Sequence, residues 1–129
     1  MIAAIEARPP QAFVRHAMQA SYHAADASNL AFPGGLRFDF VRDALAAART
    51  ARTSAETALE RVAPAGARDA ALEGRNKLKS GINELLPFAT KAFEYPQVPE
   101  GLDRALVAAN SHFRLAGYLF EDAIDAARA

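Results

Sequence analysis

The chain has 129 residues, of which 51% are hydrophobic and 23% charged, with 15 basic and 15 acidic side chains and a formal net charge of zero. This length and composition are typical of one soluble globular domain, and the balanced charge argues against nucleic acid or an anionic membrane as a partner. The sequence contains no cysteine, which excludes disulfides, thiolate metal sites and cysteine nucleophiles.

The N-terminal segment, residues 1–10, does not have the pattern of a secretion signal. Its apolar run is short and is interrupted by Glu6. Elsewhere no uninterrupted apolar run approaches the roughly 20 residues that a membrane-spanning helix needs. We therefore expect a soluble, cytoplasmic protein that does not act at a membrane.

The first predicted helix begins at the proline pair 9–10, because proline in the first helical position loses no intrahelical hydrogen bond. It should end near residues 28–29, ahead of the Pro-Gly-Gly turn at 33–35. The loop that follows contains three large apolar side chains, which we expect to fold over one end of the molecule. They are Leu30, Phe32 and Leu36.

Three longer helices follow in the prediction. Helix 2 should span 39–62, with Asp39 as its N-cap. Helix 3 should span 67–93, with a kink or a split near residues 83–86, because Pro87 removes one backbone hydrogen bond and crowds the preceding turn. After a proline-stiffened connector, helix 4 should span 100–127.

Helices 2, 3 and 4 each carry an apolar residue every three or four positions, so that these residues form one stripe on the helix. A helix with one apolar stripe buries it against another element. These three helices and the first helix, joined by short connectors, predict an all-α, antiparallel, up-down-up-down four-helix bundle, formed as a single domain over residues 1–129. The expected core includes Leu45, Leu59, Leu78, Ile82, Leu106 and Phe113.

Two arginines interrupt these stripes and are the first candidate ligand-binding pair. Arg52 and Arg75 lie at similar distances from the turn between helices 2 and 3, so an antiparallel pairing places them at one level. Two guanidinium groups at one level could bind a phosphate or a carboxylate. The alternative, which we favour, is that both lie at the stripe edge with their charges in water or paired with Glu56, Glu60 or Glu73.

His23 and His112 are the second candidate ligand-binding pair, because antiparallel packing of helices 1 and 4 would place them at one level. Such a pair could form a polar pocket or bind a divalent metal. However, two histidines without a positioned carboxylate make a poor metal site, and the Glu-x-x-His pairs of di-iron bundles are absent from the sequence. We therefore predict no metal and no cofactor, and favour ordinary boundary histidines.

The steps from Arg15 to His23 and from Arg104 to His112 are equal in length. Such an Arg-to-His step resembles the active-site motif of HEPN-type ribonucleases, which are themselves small helical bundles, although the gap in this chain is longer. Short spacings also recur by chance. We make no assignment to that class and keep a HEPN-like nuclease with an Arg/His pocket as the lesser alternative.

The function that the sequence favours is a non-enzymatic interaction module that binds another protein or a second copy of itself. The prediction rests on apolar surface beyond the needs of a four-helix core, which usually indicates a partner. This surface comprises the alanine-rich face of helix 2 and a group of aromatic residues: Phe88, Phe93, Tyr95, Tyr118 and Phe120. A homo-oligomer is expected, and a bundle that binds a small ligand or an anion is the alternative.

Overall fold

The computed structural model describes residues 10–129, so the prediction about a secretion signal concerns a segment outside the described residues. Within the described range the chain is helical and contains no β-strand. Its elements, in order, are α1 (Gln11–Leu30), α2 (Phe38–Leu59), α3 (Ala65–Leu85), a single 3₁₀ turn (Leu86–Phe88) and α4 (Leu102–Arg128). No helix in this part of the chain is long and apolar enough to cross a bilayer.

The four helices form an antiparallel bundle, as predicted. Each helix packs against the next, and α1 packs against α4, so that the ring of helices closes. The direction of α1 against α4 follows from two contacts. Ser28, near the end of α1, bonds Asn110, near the start of α4, whereas Met18 contacts Arg128 at the other end of the pair.

The apolar stripes meet in one continuous core. Of the residues predicted to be buried, all but one are exposed to solvent by 3% or less. The exception is Leu59, which packs against the core but remains partly exposed. The largest fully buried side chains come from every helix, as the bundle requires: Phe13, Val41, Leu78, Leu85, Leu102, Leu106, Phe113 and Phe120.

The alanine-rich face of α2 lies inside the bundle. Alanines 44, 48, 51, 55 and 58 are all fully buried, and Ala47 packs against the core. Phe120 is also fully buried. These residues are therefore core, and the expectation that they form surplus surface was wrong, because two helices can pack closely against a face made of small side chains.

Two aromatic rings of α4 lie directly against the backbone of α3. A Cβ atom built on Gly81 would lie 2.3 Å from Cε1 of Phe113, and one built on Gly74 would lie 2.6 Å from Cε1 of Phe120. Real Cβ atoms do not approach other atoms so closely, so only glycine fits at these positions. We call Gly74 and Gly81 the glycine seats of α3.

Most predicted helix ends differ from the observed ones by one to three residues, and two of the differences have a clear physical reason. Helix α3 ends at Leu85 and passes into the 3₁₀ turn, so Pro87 terminates the helix instead of kinking it. The N-cap of α2 is Arg37, and Asp39 lies in the first turn, where a carboxylate favours the positive end of the helix dipole without capping it.

The end of the bundle where α2 and α4 begin is covered by apolar side chains from the connectors. Leu30 and Leu36 pack against the core, as expected for that loop. Phe32 does not join them: it remains 43% exposed and packs against Phe40, with ring centroids 5.6 Å apart. The T-shaped pair between Phe38 and Phe93 joins the long connector before α4 to the start of α2.

Candidate functional site

The two stripe-breaking arginines meet at a shared carboxylate on the α2/α3 side of the bundle. Nε of Arg52 lies 3.8 Å from one oxygen of Glu56, and Nη1 of Arg75 lies 3.7 Å from the other. The side chains are 36% exposed for Arg52, 25% for Arg75 and 50% for Glu56. We call these three residues the Arg-Glu-Arg cluster.

The contacts in this cluster are ion pairs and not hydrogen bonds, because both distances exceed the usual N–H···O range. A guanidinium group has five donors. In residues 10–129, no hydrogen bond uses the donors of Arg52, and Arg75 makes one, from Nε to Oδ1 of Asn76 at 3.1 Å. The cluster can therefore still donate to an oxyanion at the surface.

The two histidines lie on different helices, His23 on α1 and His112 on α4. His23 lies about 140° around its helix from Ser28, which bonds α4, and His112 lies about 160° around its helix from Asn110, which bonds α1. Within residues 10–129, no hydrogen bond or aromatic contact joins the two histidines.

Each histidine has one local feature that the structure defines. The ring of His23 packs edge-on against Tyr22, with centroids 5.4 Å apart. Nδ1 of His112 is buried without a hydrogen-bond partner in the described part of the chain. In the same part, no hydrogen bond or ion pair joins Arg15 to His23 or Arg104 to His112, and no group of three metal-binding side chains is present.

A polar clip that the sequence analysis did not assign joins α1 to α4. Asn110 donates from Nδ2 to the carbonyl oxygen of Ser28 at 2.8 Å, and Ser28 is only 8% exposed. Arg114 donates to Oδ1 of Asn110 at 2.8 Å. A polar residue within an apolar stripe was the available signal, since Ser28 follows Ala24 by one turn on the buried face.

The clip gives a stability prediction. We expect Asn110→Ala to lower the free energy of unfolding by about 1 kcal/mol, because the carbonyl oxygen of Ser28 loses the hydrogen bond from Nδ2 in a partly buried position, whereas the Ser28 hydroxyl keeps its bond to the backbone carbonyl of residue 110. Chemical denaturation measures the change. Asn76→Ala is the control, since Asn76 is exposed and its side chain bonds only the neighbouring Arg75; an equal loss in both variants would contradict a structural role for the clip.

Helices α1 and α4 also carry large apolar side chains that are exposed to solvent. Four of them define what we call the α1/α4 outer face: Met18 (50%), Tyr22 (67%), Leu115 (43%) and Tyr118 (56%). The two helices approach each other closely, because a Cβ built on Gly117 would lie 3.9 Å from Cβ of Ala24. Tyr22 lies two residues from Ala24 and Tyr118 lies one residue from Gly117, so both tyrosines lie at the height of this contact.

A groove adjoins the outer face where α1 begins and α4 ends. It has a volume of about 610 Å³ and is lined by six residues: Gln11, Val14, Arg15, Met18, Gln19 and Arg128. Arg128 contacts the sulfur of Met18 at 3.8 Å. The groove therefore extends the exposed apolar surface along α1.

Comparisons of the chain with protein-family models, with curated proteins and with solved structures find no match.

Proposed function

We propose that this chain is a non-enzymatic interaction module that binds a second copy of itself through the α1/α4 outer face. One observation carries the proposal: Met18, Tyr22 and Tyr118, which lie on these two neighbouring helices, are each at least half exposed. Exposed apolar side chains that gather in one place usually mark a site of protein association. Tyrosine suits such a site because its ring buries a large area while its hydroxyl keeps a polar partner.

The charges around the outer face favour a second copy as the partner. Arg114 and Arg128 are exposed near it, as are Glu121 and Asp125. A face that carries both signs can pair with itself, because a two-fold axis brings each group opposite a different residue of the partner. The net charge of zero also removes long-range repulsion between two copies.

The mass of the protein in solution tests this proposal. We expect sedimentation equilibrium to give at least twice the 13.8 kDa of one chain at high micromolar concentration. The double variant Tyr22→Ser/Tyr118→Ser should weaken association by roughly a thousandfold or more, since it removes four tyrosines from a two-fold interface and truncating a central aromatic residue typically costs about 1–2 kcal/mol.

Val62→Ser is the matched control, because Val62 is 90% exposed but lies in the α2–α3 turn, away from the outer face. It should associate as the parent does. A mass of 13.8 kDa at every concentration would contradict the proposal, and so would an equal loss of association in the control.

A further inference from the structure

The Arg-Glu-Arg cluster combines a surplus of positive charge with one resident carboxylate. Within one helical turn of its arginines, on the same sides of their helices, lie two more exposed cations: Arg49 precedes Arg52 by three residues, and Lys79 follows Arg75 by four. Glu56 is the acidic residue that contacts both arginines. The balanced charge of the whole chain therefore conceals a local excess of positive charge.

The position of Glu56 indicates which class of ligand this surface can bind. Each oxygen of its carboxylate faces a different guanidinium, at 3.7 and 3.8 Å. These distances are too long for hydrogen bonds, so the carboxylate neutralises the arginines without occupying their donors. A ligand carboxylate that is not tethered to α2 can approach to about 2.8 Å and form charge-assisted hydrogen bonds.

We propose that the Arg-Glu-Arg cluster is a binding site for carboxylates, in which the Glu56 carboxylate pairs with both arginines when no ligand is bound. Arg52 and Arg75 bind the carboxylate, and Asn76 orients the guanidinium of Arg75 by accepting a hydrogen bond from its Nε. The ligand displaces Glu56, which is half exposed and moves into solvent. This site lies on α2 and α3, apart from the α1/α4 outer face, and does not depend on self-association.

Two probes distinguish the two sources of such a ligand. Glutarate represents a free small carboxylate, and an end-blocked peptide of six glutamates represents acidic side chains on a protein. Binding of either is measured by calorimetry at constant ionic strength, because added salt screens surface charges over about 10 Å. Binding of the peptide alone identifies a protein ligand, whereas equal binding of both identifies a small one.

The central variant is Glu56→Gln, which removes the competing charge but keeps the size of the side chain. We expect it to bind the better probe roughly tenfold more tightly than the parent, a change that corresponds to about 1.4 kcal/mol. Glu60→Gln is the matched control, since it removes the same charge one turn further along the chain. It should bind as the parent does.

Variants of the two arginines test whether these residues bind the probe. Arg52→Gln and Arg75→Gln should each abolish measurable binding, whereas Arg42→Gln should leave it unchanged, because Arg42 pairs with Asp39 and Asp43 elsewhere on α2. Arg75→Lys provides a second measurement if Arg75→Gln fails to fold. It keeps the charge but lacks the fork of donors, and should also bind weakly.

Two results would overturn the proposal. One is the absence of binding by either probe to both the parent and Glu56→Gln. The other is equal tightening in Glu56→Gln and Glu60→Gln, or equal weakening in Arg52→Gln and Arg42→Gln, because then the total surface charge and not this cluster determines binding. The variant Tyr22→Ser/Tyr118→Ser should bind the probes as the parent does, so failure of self-association and failure of this site are distinguishable.

Discussion

Replacing Gly81 by alanine is expected to lower the free energy of unfolding by about 1–3 kcal/mol, although alanine favours helix formation by up to about 1 kcal/mol. The reason is steric. The added methyl group would lie 2.3 Å from Cε1 of Phe113, whose side chain is fully buried. Because the core is close-packed, the ring can move only by displacing its neighbours. Urea denaturation of the purified variant measures the loss.

Gly66→Ala is the control for this substitution. Gly66 is exposed in the first turn of the same helix, and nothing lies within 4 Å of a Cβ built there. We expect this variant to be as stable as the parent or slightly more stable. Phe113→Leu should cost less in the Gly81→Ala background than in the parent, because the smaller side chain relieves the contact. Strict additivity of the two substitutions would argue against the close packing of ring and glycine.

Leu78→Ala should destabilise the protein further, by about 2–5 kcal/mol, since Leu78 is fully buried at the centre of α3 and its truncation leaves a cavity. A loss of this size is a large part of the stability of a small domain. Thermal and urea denaturation should both show a single transition at a lower midpoint.

Leu72→Ala is the matched comparison, because it removes the same atoms from the same helix at a position that is 41% exposed. We expect a change below about 1 kcal/mol. Equal losses at Leu72 and Leu78 would mean that the buried face of α3 has been assigned incorrectly.

The sequence predicts the helices and most of the core because side-chain spacing decides which face of a helix is buried. Leu78 and Leu106 are found in this way, since each lies within a long apolar stripe. The glycine seats are not found, because a search for apolar side chains passes over a residue that has none. The equal spacing of Gly74 and Gly81 on α3 and of Phe113 and Phe120 on α4 was the available signal.

The end of α3 shows a second limit of such patterns. Ala89 and Ala92 continue the apolar stripe in the sequence, and the prediction therefore extended the helix to residue 93. In the structure the helix ends at Leu85, and Ala92 is exposed. The backbone effect of Pro87, which lacks an amide hydrogen, outweighs the continuing pattern.

For the candidate site, the sequence predicts how far along the bundle axis each residue lies, but not which neighbouring helix it faces. Counting outward from the α2–α3 turn places Arg52 and Arg75 at one height, and Glu56 joins them there. A similar height does not establish that His23 and His112 meet, because the rotation of each helix about its axis decides which neighbour a residue faces. That rotation depends on the packing of all four helices together.

The spacing of the glycine seats restricts how α3 and α4 can align. Gly74 and Gly81 are seven residues apart, as are the two phenylalanines that pack on them. Sliding one helix along the other by a single turn moves both rings onto positions that carry side chains. Only a displacement of seven residues, about 10.5 Å, returns one ring to a glycine, and it leaves the other glycine vacant. The α3–α4 hairpin therefore has one alignment in which both rings pack against glycine. Alignments in which one helix is shifted by less than seven residues place the rings against side chains and are sterically excluded.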